Sequence, residues 1–534
     1  MSGSISNEDR PFGSARFAGP EEAARAGMFR QQRGSLLVGF LGPRPLWYSD
    51  MGGLLLIAGA RSGKLRDILA YNVCPGTCLH SMLILDMKGE LAAISLNQTS
   101  DRKFCGYWSP IPLHGIRGNR INPLDYIRID SPTLVSDVKV FAENMIPASG
   151  SPQSLYFEGR AREFLEGIVL ALVRLKSVLT FPELYRVINL LVAGGNEWLD
   201  FAFEMAESGF PLARRVEEEI AAARKDSSGG FRGILGELTK AFACLSDPSL
   251  MASVSPPFDF SLSQLCESDR AWQIYLMPPA EFIDAWAPVI KAIFVAGMIY
   301  KSRAPAAPQQ TWILDECAQL GAFPLAVKLF TYGAGIGIRP WAVFQSADQM
   351  KALGPDAKTI VSSSAGLQSY FGVRDLETAS TLSKMLGSET LGYVDAHRRA
   401  EARYAQQRAA RRLFGGGNPF RIAQEVAHHA RMASLPVLTH RALRNPDELL
   451  GMPGDRQIIF ADGLEHPLYA ERRAYFDQPF MAGRYHPSPF HPPADKVRVR
   501  TRGGYAWRRV IVEPVPRRFA HYPQYVGGTW SRIG

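Results

Sequence analysis

The chain has 534 residues, of which 46% are apolar and 21% are charged. Both fractions are ordinary for a folded globular protein, so they exclude a wholly disordered or fibrous chain, and the length predicts at least two domains. The 60 lysines and arginines exceed the 51 aspartates and glutamates, which gives a formal net charge of +9.

The excess positive charge lies in the C-terminal part of the chain. From residue 391 onward there are 23 basic and 12 acidic side chains, whereas the first 390 residues have a net charge of −2. We therefore expect a basic partner-binding surface, if there is one, in the C-terminal third. Six scattered cysteines form no disulfide framework, so a reducing cytoplasm is the expected compartment.

No segment reads as a signal peptide or a membrane span. Residues 1–34 are polar and predict a flexible tail without the apolar centre of a signal peptide. The apolar stretch at 35–60 is interrupted by prolines and charges, and a span needs ~20 apolar residues. The sequence predicts a protein that is cytoplasmic or peripheral on the cytoplasmic face of the bacterial inner membrane.

The segment 35–150 predicts the first part of a parallel α/β domain. Residues 54–57 form an apolar run between glycines, a helical pattern follows from Lys64, and residues 82–85 form a second apolar run that ends at Asp86. Short buried strands separated by a helix are typical of a parallel sheet.

Residues 151–255 predict an all-helical insertion, because apolar residues recur there at helical spacing. Strand patterns then return at 272–276, 311–314, 341–344 and 367–373, so 256–485 completes the sheet domain. Within it, 393–425 is a basic insertion with helical character. Residues 486–534 are rich in Pro, Tyr and Arg and predict an extended basic tail.

A phosphate-binding loop is predicted after the first of these strands, at Gly59, Ala60, Arg61, Ser62, Gly63, Lys64 and Leu65. Small residues allow backbone N–H groups to face a phosphate, and Lys64 would reach the β- and γ-phosphates. Ala58 stands in the place of the usual glycine, and Leu65 in the place of the hydroxyl residue that holds Mg²⁺. A plain strand–turn–helix is the alternative interpretation.

Two further strand ends carry polar side chains that suit nucleotide hydrolysis. Asp315 and Glu316 follow the strand 311–314; the first carboxylate would orient Mg²⁺ through water and the second would polarise the attacking water. Gln345 follows the strand 341–344, where a polar side chain can sense the γ-phosphate. Exposed acids at an ordinary strand end are the competing interpretation of Asp315 and Glu316.

These motifs, in this order, resemble the TraG/TraD-type coupling proteins of type IV secretion. The resemblance runs from about residue 35 to about 485. Its sequence elements are the loop ending at Lys64, Leu85–Glu90 (similar to the family's D-P-K-G-E), Ile121–Leu124 (N-P-L), Phe157–Arg162, Leu314–Gly321 (L-D-E-F-x-x-L-G), Phe344–Ser346, Asp375–Thr390, Arg444–Leu449 and 463–467.

The resemblance implies a RecA-like P-loop NTPase domain with an inserted all-α domain, ATP and Mg²⁺ as cofactors, and a homo-hexamer. It implies an ATP-driven motor and receptor that delivers single-stranded DNA with bound relaxase to inner-membrane secretion channel proteins during conjugation. An arginine from the neighbouring subunit would act at each site, and Arg339 and Arg374 are the candidates. Members usually carry paired N-terminal membrane helices, and the sequence has none.

Basic residues of the C-terminal third are candidates for DNA contact, with Tyr505 and Trp507 interleaved as stacking platforms. They are Arg398, Arg399, Arg403, Arg498, Arg500, Arg502, Arg508 and Arg509. A solvated basic surface and an anionic lipid partner are the alternatives.

The degenerate loop at Leu65 supports a second hypothesis of a different class. The chain would then be a weakly active or inactive ATPase-fold receptor that recruits protein substrates to a secretion system. A motor whose cargo is secreted protein rather than DNA is a further possibility that the sequence leaves open.

Overall fold

The architecture comes from a computed structural model, which describes residues 11–74, 78–96, 103–148, 152–225, 229–393, 396–414, 418–434, 437–522, 525 and 528–534. The strands of the described residues are β1 (Leu36–Leu41), β2 (Arg44–Tyr48), β3 (Gly53–Ala58), β4 (Ser81–Leu85), β5 (Lys103–Trp108), β6 (Ala271–Leu276), β7 (Gln310–Asp315), β8 (Ile338–Phe344), β9 (Ala365–Phe371), β10 (Ser388–Tyr393), β11 (Val437–Ala442), β12 (Arg456–Ala461), β13 (Leu468–Glu471), β14 (Lys496–Thr501), β15 (Gly504–Pro514) and β16 (Thr529–Ile533).

Eleven of these strands form one mixed sheet, in the order β2-β1-β13-β12-β9-β3-β8-β7-β4-β6-β5. The seven strands from β9 to β5 pair in parallel, whereas β12, β13, β1 and β2 extend the sheet with antiparallel pairs. Strands β10 and β11 form a separate pair, and β14, β15 and β16 form a small sheet of their own.

The parallel strands are apolar on both faces because both faces are covered. Along β3, Leu55 and Ile57 belong to one hydrophobic core, whereas Leu54 and Leu56 belong to the other. This two-residue alternation is the pleat of a strand, and burial on both sides explains why the strand is a continuous apolar run in the sequence.

The helices of the described residues are α1 (Pro20–Arg25), α2 (Ala70–Val73), α3 (Glu90–Ile94), α4 (Leu134–Met145), α5 (Pro152–Lys176), α6 (Phe181–Ala193), α7 (Asn196–Glu207), α8 (Pro211–Ala223), α9 (Gly230–Phe242), α10 (Pro248–Ser253), α11 (Ile283–Arg303), α12 (Pro324–Ile336), α13 (Ala357–Ser364), α14 (Leu376–Leu386), α15 (Ala396–Phe414), α16 (Pro419–Ser434) and α17 (Pro446–Leu450). Of these, α11 is long and apolar enough to cross a membrane, but 72% of its apolar window is buried inside the fold.

The helices α5 to α10 lie within the stretch for which the sequence predicts an all-α insertion. They do not have a separate interior, since Phe164 of α5 and Leu184 of α6 belong to the same continuous core as Leu55 and Leu314 of the sheet. The insertion is therefore attached to one face of the sheet through shared apolar packing, rather than through a linker alone.

The two ends of the chain are more structured than the sequence suggests. Residues 11–34 of the predicted flexible tail include α1, the buried Ala23, and a hydrogen bond from the Ala18 amide to the Pro467 carbonyl at 2.8 Å; residues 1–10 are outside the described part. At the other end, 496–533 contains a three-stranded sheet instead of an extended tail, because valines alternate with basic residues along β14 and give that strand one apolar face.

Arg339 lies inside the fold, which removes it as a candidate for action on a neighbouring subunit. It stands near the start of β8, at the edge of the sheet opposite the carboxyl ends of the parallel strands, and is 0% exposed. Its guanidinium donates to the carbonyls of Asp50 at 3.0 Å and Gly34 at 2.5 Å and to the Thr311 hydroxyl at 3.0 Å. It thereby joins three segments of the amino-terminal edge.

We expect Arg339→Ala to destabilise the fold by about 3 kcal/mol or more, because it leaves three acceptors without their donor and opens a buried cavity. Exposed Arg374 is the matched control, and Arg374→Ala should change stability by about 0.5 kcal/mol or less. Thermal and denaturant unfolding of the two variants provides the comparison. An Arg339→Ala variant that unfolds like the wild type would contradict the structural role.

Candidate nucleotide-binding site

The predicted phosphate-binding loop leaves β3 at the carboxyl end of the parallel sheet and is packed too tightly for side chains at its glycines. A Cβ atom on Gly59 would lie 2.1 Å from the carbonyl oxygen of Gly372, and one on Gly63 would lie 2.7 Å from the Asp67 carboxylate. Gly63 also has a φ of 89°, which glycine adopts without strain. The loop backbone therefore packs closely against the segment that follows β9, and Ala60 and Arg61 are exposed at the surface of the loop.

The residues after the loop do not supply a hydroxyl at the usual place. Leu65 is 8% exposed and packs into the core under the loop, at the start of a π-helical turn over Leu65–Leu69. Within the described residues, the buried Ser62 hydroxyl has no hydrogen-bond partner. Buried hydroxyls are normally bonded, so this group is an exception among the described residues.

The four predicted catalytic residues come together at the ends of three neighbouring strands. The Nζ atom of Lys64 lies 2.8 Å from Oδ1 of Asp315 and also contacts Glu316. Gln345 donates from Nε2 to both carboxylate oxygens of Glu316, at 2.9 and 3.0 Å. The cluster forms because β8, which ends before Gln345, lies between β3 and β7 in the sheet.

Burial and neighbouring charges shift the pKa values of this cluster in opposite directions. Burial lowers the pKa of Lys64, but the carboxylates of Asp315 and Glu316 raise it more, so that the ammonium is held charged. Burial raises the pKa of Asp315, against the lowering effect of Lys64. Glu316 has a φ of 55°, and such left-handed conformations in non-glycine residues cluster at functional sites.

A second acidic group lies on the loop after β4, next to the first. The Asp86 carboxylate accepts hydrogen bonds from the amides of Glu90 at 3.2 Å and Ala92 at 2.8 Å. Oε1 of Glu90 accepts from the Ser488 hydroxyl at 3.2 Å and lies 3.2 Å from Nε2 of His491. Burial raises the pKa of both Asp86 and Glu90 to about 7.

Arg472 supports the loop from below, and sequence reasoning missed it. It is 4% exposed; its Nη1 atom donates to the Ser62 carbonyl at 2.7 Å and contacts the Asp67 carboxylate at 2.8 Å. Its guanidinium also lies 3.7 Å from the ring centroid of Phe371. Burial lowers the pKa of Arg472 to about 10, which leaves it charged. No local motif links positions 405 residues apart, so the sequence carries no signal for this pair.

The other predicted site residues are dispersed. Arg374 is exposed beside the loop, where a Cβ on Gly59 would lie 3.7 Å from its Cγ atom. Arg403 is exposed on α15, and the side chains of Arg398 and Arg399 lie outside the described residues. Five further candidates lie on β14, on β15 or in the turn between them: Arg498, Arg500, Arg502, Arg508 and Arg509. Arg498 is half-buried, and the other four are exposed.

A family model described as "Type IV secretory system Conjugative DNA transfer" matches residues 13–411 and 430–496, which is most of the chain. The chain belongs to this family. The predicted resemblance to TraG/TraD-type coupling proteins is thereby confirmed.

Two conjugal transfer proteins TraG of Escherichia coli are among the relatives. One is 24% identical over 524 residues, covering 88% of this chain and 77% of its own length. The other is 23% identical over 464 residues, covering 81% and 68% respectively. A TraG of Rhizobium radiobacter is 26% identical over 294 residues, or 54% of this chain and 41% of its own length.

Solved structures of the bacterial conjugative coupling protein TrwB share the fold. The unbound form of TrwBΔN70 aligns with a TM-score of 0.61 at 16% identity, covering 88% of this chain and 96% of that one. TrwB in complex with ADP and Mg²⁺ aligns with a TM-score of 0.61 at 15% identity, covering 87% and 95%. The predicted RecA-like P-loop NTPase fold is confirmed.

We expect Arg472→Ala to destabilise this type IV secretion family member by about 3 kcal/mol, because the variant opens a buried cavity and removes the donor from the Ser62 and Gly454 carbonyls. Asp67 would keep the contact with Arg66 and lose the one with Arg472. The neighbouring Arg473, which is partly exposed and contacts Glu471 at 2.5 Å, is the matched control and should cost about 1 kcal/mol or less. Thermal unfolding separates the two. Equal small losses would show that the loop does not depend on Arg472 and that Arg66 suffices for Asp67.

We expect the unfolding temperature to fall as pH rises from about 4.5 to 7, because folded Glu90 keeps its proton to about pH 7 whereas the unfolded chain ionises near 4.5. Glu90→Gln should flatten this fall, and it should also lower the pKa of Asp86 by removing a neighbouring charge. Unfolding temperatures across that pH range provide the test. Parallel curves for the wild type and the variant would contradict the raised pKa of Glu90.

Proposed function

We propose that the chain is an ATP-driven hexameric motor and substrate receptor that delivers single-stranded DNA with its bound relaxase to the secretion channel during conjugation. The observation that carries the proposal is the meeting of Lys64, Asp315, Glu316 and Gln345 beside a glycine loop with no room for side chains. Family membership supports the conjugative role.

The roles of the four residues follow from their contacts. A phosphate bound at the loop would compete with Asp315 and Glu316 for the ammonium of Lys64. Nucleotide binding would therefore free the two carboxylates to contact Mg²⁺ and water. Asp315 would hold Mg²⁺ through water, and bound Mg²⁺ supplies charge neutralisation at the β- and γ-phosphates. Glu316, held by the Gln345 amide, would orient and polarise the attacking water.

The residues of the loop fit such a ligand. The exposed Ala60 and Arg61 of the loop and the charged Lys64 would place backbone and side-chain donors beside phosphate oxygens. The Ser62 hydroxyl has no partner among the described residues. The similar TrwB structure holds ADP and Mg²⁺, and we propose ATP and Mg²⁺ as the cofactors here.

We infer a homo-hexamer in which nucleotide lies between subunits, with exposed Arg374 as the remaining candidate for an arginine acting at a subunit boundary. The ring would contact inner-membrane channel proteins and would be cytoplasmic or peripheral on the cytoplasmic face of that membrane.

A second function is favoured by the buried Leu65 side chain, which leaves the usual metal-binding position without an oxygen ligand. The chain would then be a receptor with little or no ATPase activity that recruits protein substrates. Its cargo binding would be unchanged by Lys64→Ala.

ATP hydrolysis by the purified full chain, with and without single-stranded DNA, tests the motor. We expect DNA to stimulate hydrolysis, and Lys64→Ala and Glu316→Gln each to lower the rate by about 100-fold or more, since each removes a group that acts on the reacting phosphate or water. Lys328→Ala, a change of an exposed lysine on α12, is the matched control.

The opposite outcome is a wild-type chain that is folded and binds cargo but hydrolyses ATP no faster than Lys64→Ala. That result would contradict the motor proposal and favour the receptor.

A further inference from the structure

The small C-terminal sheet presents one face that is both basic and aromatic. Residues directly opposite each other on β14 and β15 share a face: Lys496 with Arg509, Arg498 with Trp507, and Arg500 with Tyr505. Successive residues on one face are separated by ~6.8 Å along a strand. The three pairs therefore form a ladder of four cationic side chains and two aromatic rings, which we call the ladder face.

The opposite face of the same sheet is fixed to the body of the protein. Val497 is 2% exposed and belongs to the second core, and Val499 and Val510 pack against that core. Because side chains alternate between the faces of a strand, this anchoring directs the ladder face outward. The orientation is set by burial of the valines, independently of any ligand.

The charges of the ladder face are not compensated within it. Lys496 and Arg509 are direct cross-strand partners, and like charges in that position destabilise a sheet. Arg509 has a carboxylate neighbour in Asp495 at 3.4 Å, but both side chains are more than half exposed, so the contact is weak. A polyanion lying along the ladder face would relieve the repulsion.

The aromatic rings are exposed on the same face. Tyr505 is 40% exposed and Trp507 is 43% exposed, so both rings are accessible to a partner that can stack on them. The guanidinium of Arg498 lies 5.1 Å from the Tyr505 ring centroid and donates to the Asp477 carbonyl at 2.9 Å. Arg498 thus holds the Tyr505 ring in place before any base arrives.

We propose that the ladder face binds single-stranded DNA, with bases stacked on Tyr505 and Trp507 and phosphates on the flanking cations. Alternating rings and cations match a strand whose bases are unstacked, whereas a duplex hides its base faces and an anionic membrane has none to stack. The choice of DNA over RNA rests on the proposed function; the choice of a single strand rests on the rings alone.

Fluorescence anisotropy of the full chain with a labelled oligothymidine tests the proposal, with duplex DNA, oligouridine and vesicles of anionic phospholipid as competitors. We expect Tyr505→Ala with Trp507→Ala to weaken binding at least tenfold, because stacking contributes ~1–3 kcal/mol per base. Arg500→Ala with Arg509→Ala should weaken binding and reduce the salt dependence, by about 0.7 in the logarithmic slope for each phosphate that is no longer neutralised.

Arg508 offers a matched control on the same strand. The sequence makes Arg508 a candidate for DNA contact, and it is exposed and adjacent to Arg509. It pairs with Val497, however, and so belongs to the opposite face and is not part of the proposed ladder face. Arg508→Ala should therefore leave affinity within about twofold. Equal losses for Arg508→Ala and Arg509→Ala would overturn the ladder face in favour of diffuse attraction to a basic surface.

The remaining outcomes also decide the proposal. Unchanged affinity after loss of both rings, equal competition by duplex, or preferential competition by anionic vesicles would each overturn it. Unfolding temperatures of the variants check that the sheet remains folded. Binding is measured without hydrolysis, so the two proposals can fail separately. A chain that binds through these rings but does not hydrolyse ATP would support the ladder face and contradict the motor. A chain that hydrolyses ATP but does not bind through these rings would support the motor and contradict the ladder face.

Discussion

The buried contact of Arg472 with the phosphate-binding loop connects the two halves of the large sheet. Arg472 follows β13 in the antiparallel part, yet it bonds the Ser62 carbonyl and the Asp67 carboxylate of the parallel part. It also lies over the ring of Phe371 at the end of β9. A charge in this position is stable because several acceptors surround it. The loop geometry thus depends on a segment that carries no part of the nucleotide motif.

The geometry of the catalytic cluster also depends on the order of the strands in the sheet. Lys64, Glu316 and Gln345 are distant in sequence and meet because β3, β8 and β7 are adjacent. Glu316 and Gln345 directly follow β7 and β8, and Lys64 ends the loop that follows β3. All three therefore lie at the carboxyl edge, where a parallel sheet binds ligands. The acidic loop after β4 extends the same edge, and there Glu90 contacts Ser488 and His491 of the C-terminal region. Residues beyond the recognised motifs therefore complete this edge of the sheet.

The sequence predicted the parallel strands and the cluster well, because both follow from local pattern. Apolar runs identify β3, β4, β6, β7 and β8, and the polar residues after the runs of β4, β7 and β8 identify the site. Arg339 could not be placed from the sequence: it was a candidate for action on a neighbouring subunit, but β8 begins before it and three acceptors allow it to be buried. Arg472 and Asp67 were missed since pairing over long sequence separation leaves no periodic signal. The C-terminal sheet was missed because Pro and Arg masked the alternating valines of β14.

Strand order also has a consequence for how the chain is made. The first strand of the nucleotide site, β3, pairs with β8 and β9, which are synthesised nearly three hundred residues later. Until those strands leave the ribosome, Leu54 to Ile57 have no neighbours, and an unpaired apolar strand is prone to aggregation. Contacts of such sequence separation also slow folding, because the loop must close before any pairing is gained. The helices α12 and α13, which pack against β3, also follow it by a long stretch of chain. The order of elements along the chain therefore makes the catalytic edge one of the last parts that can be completed.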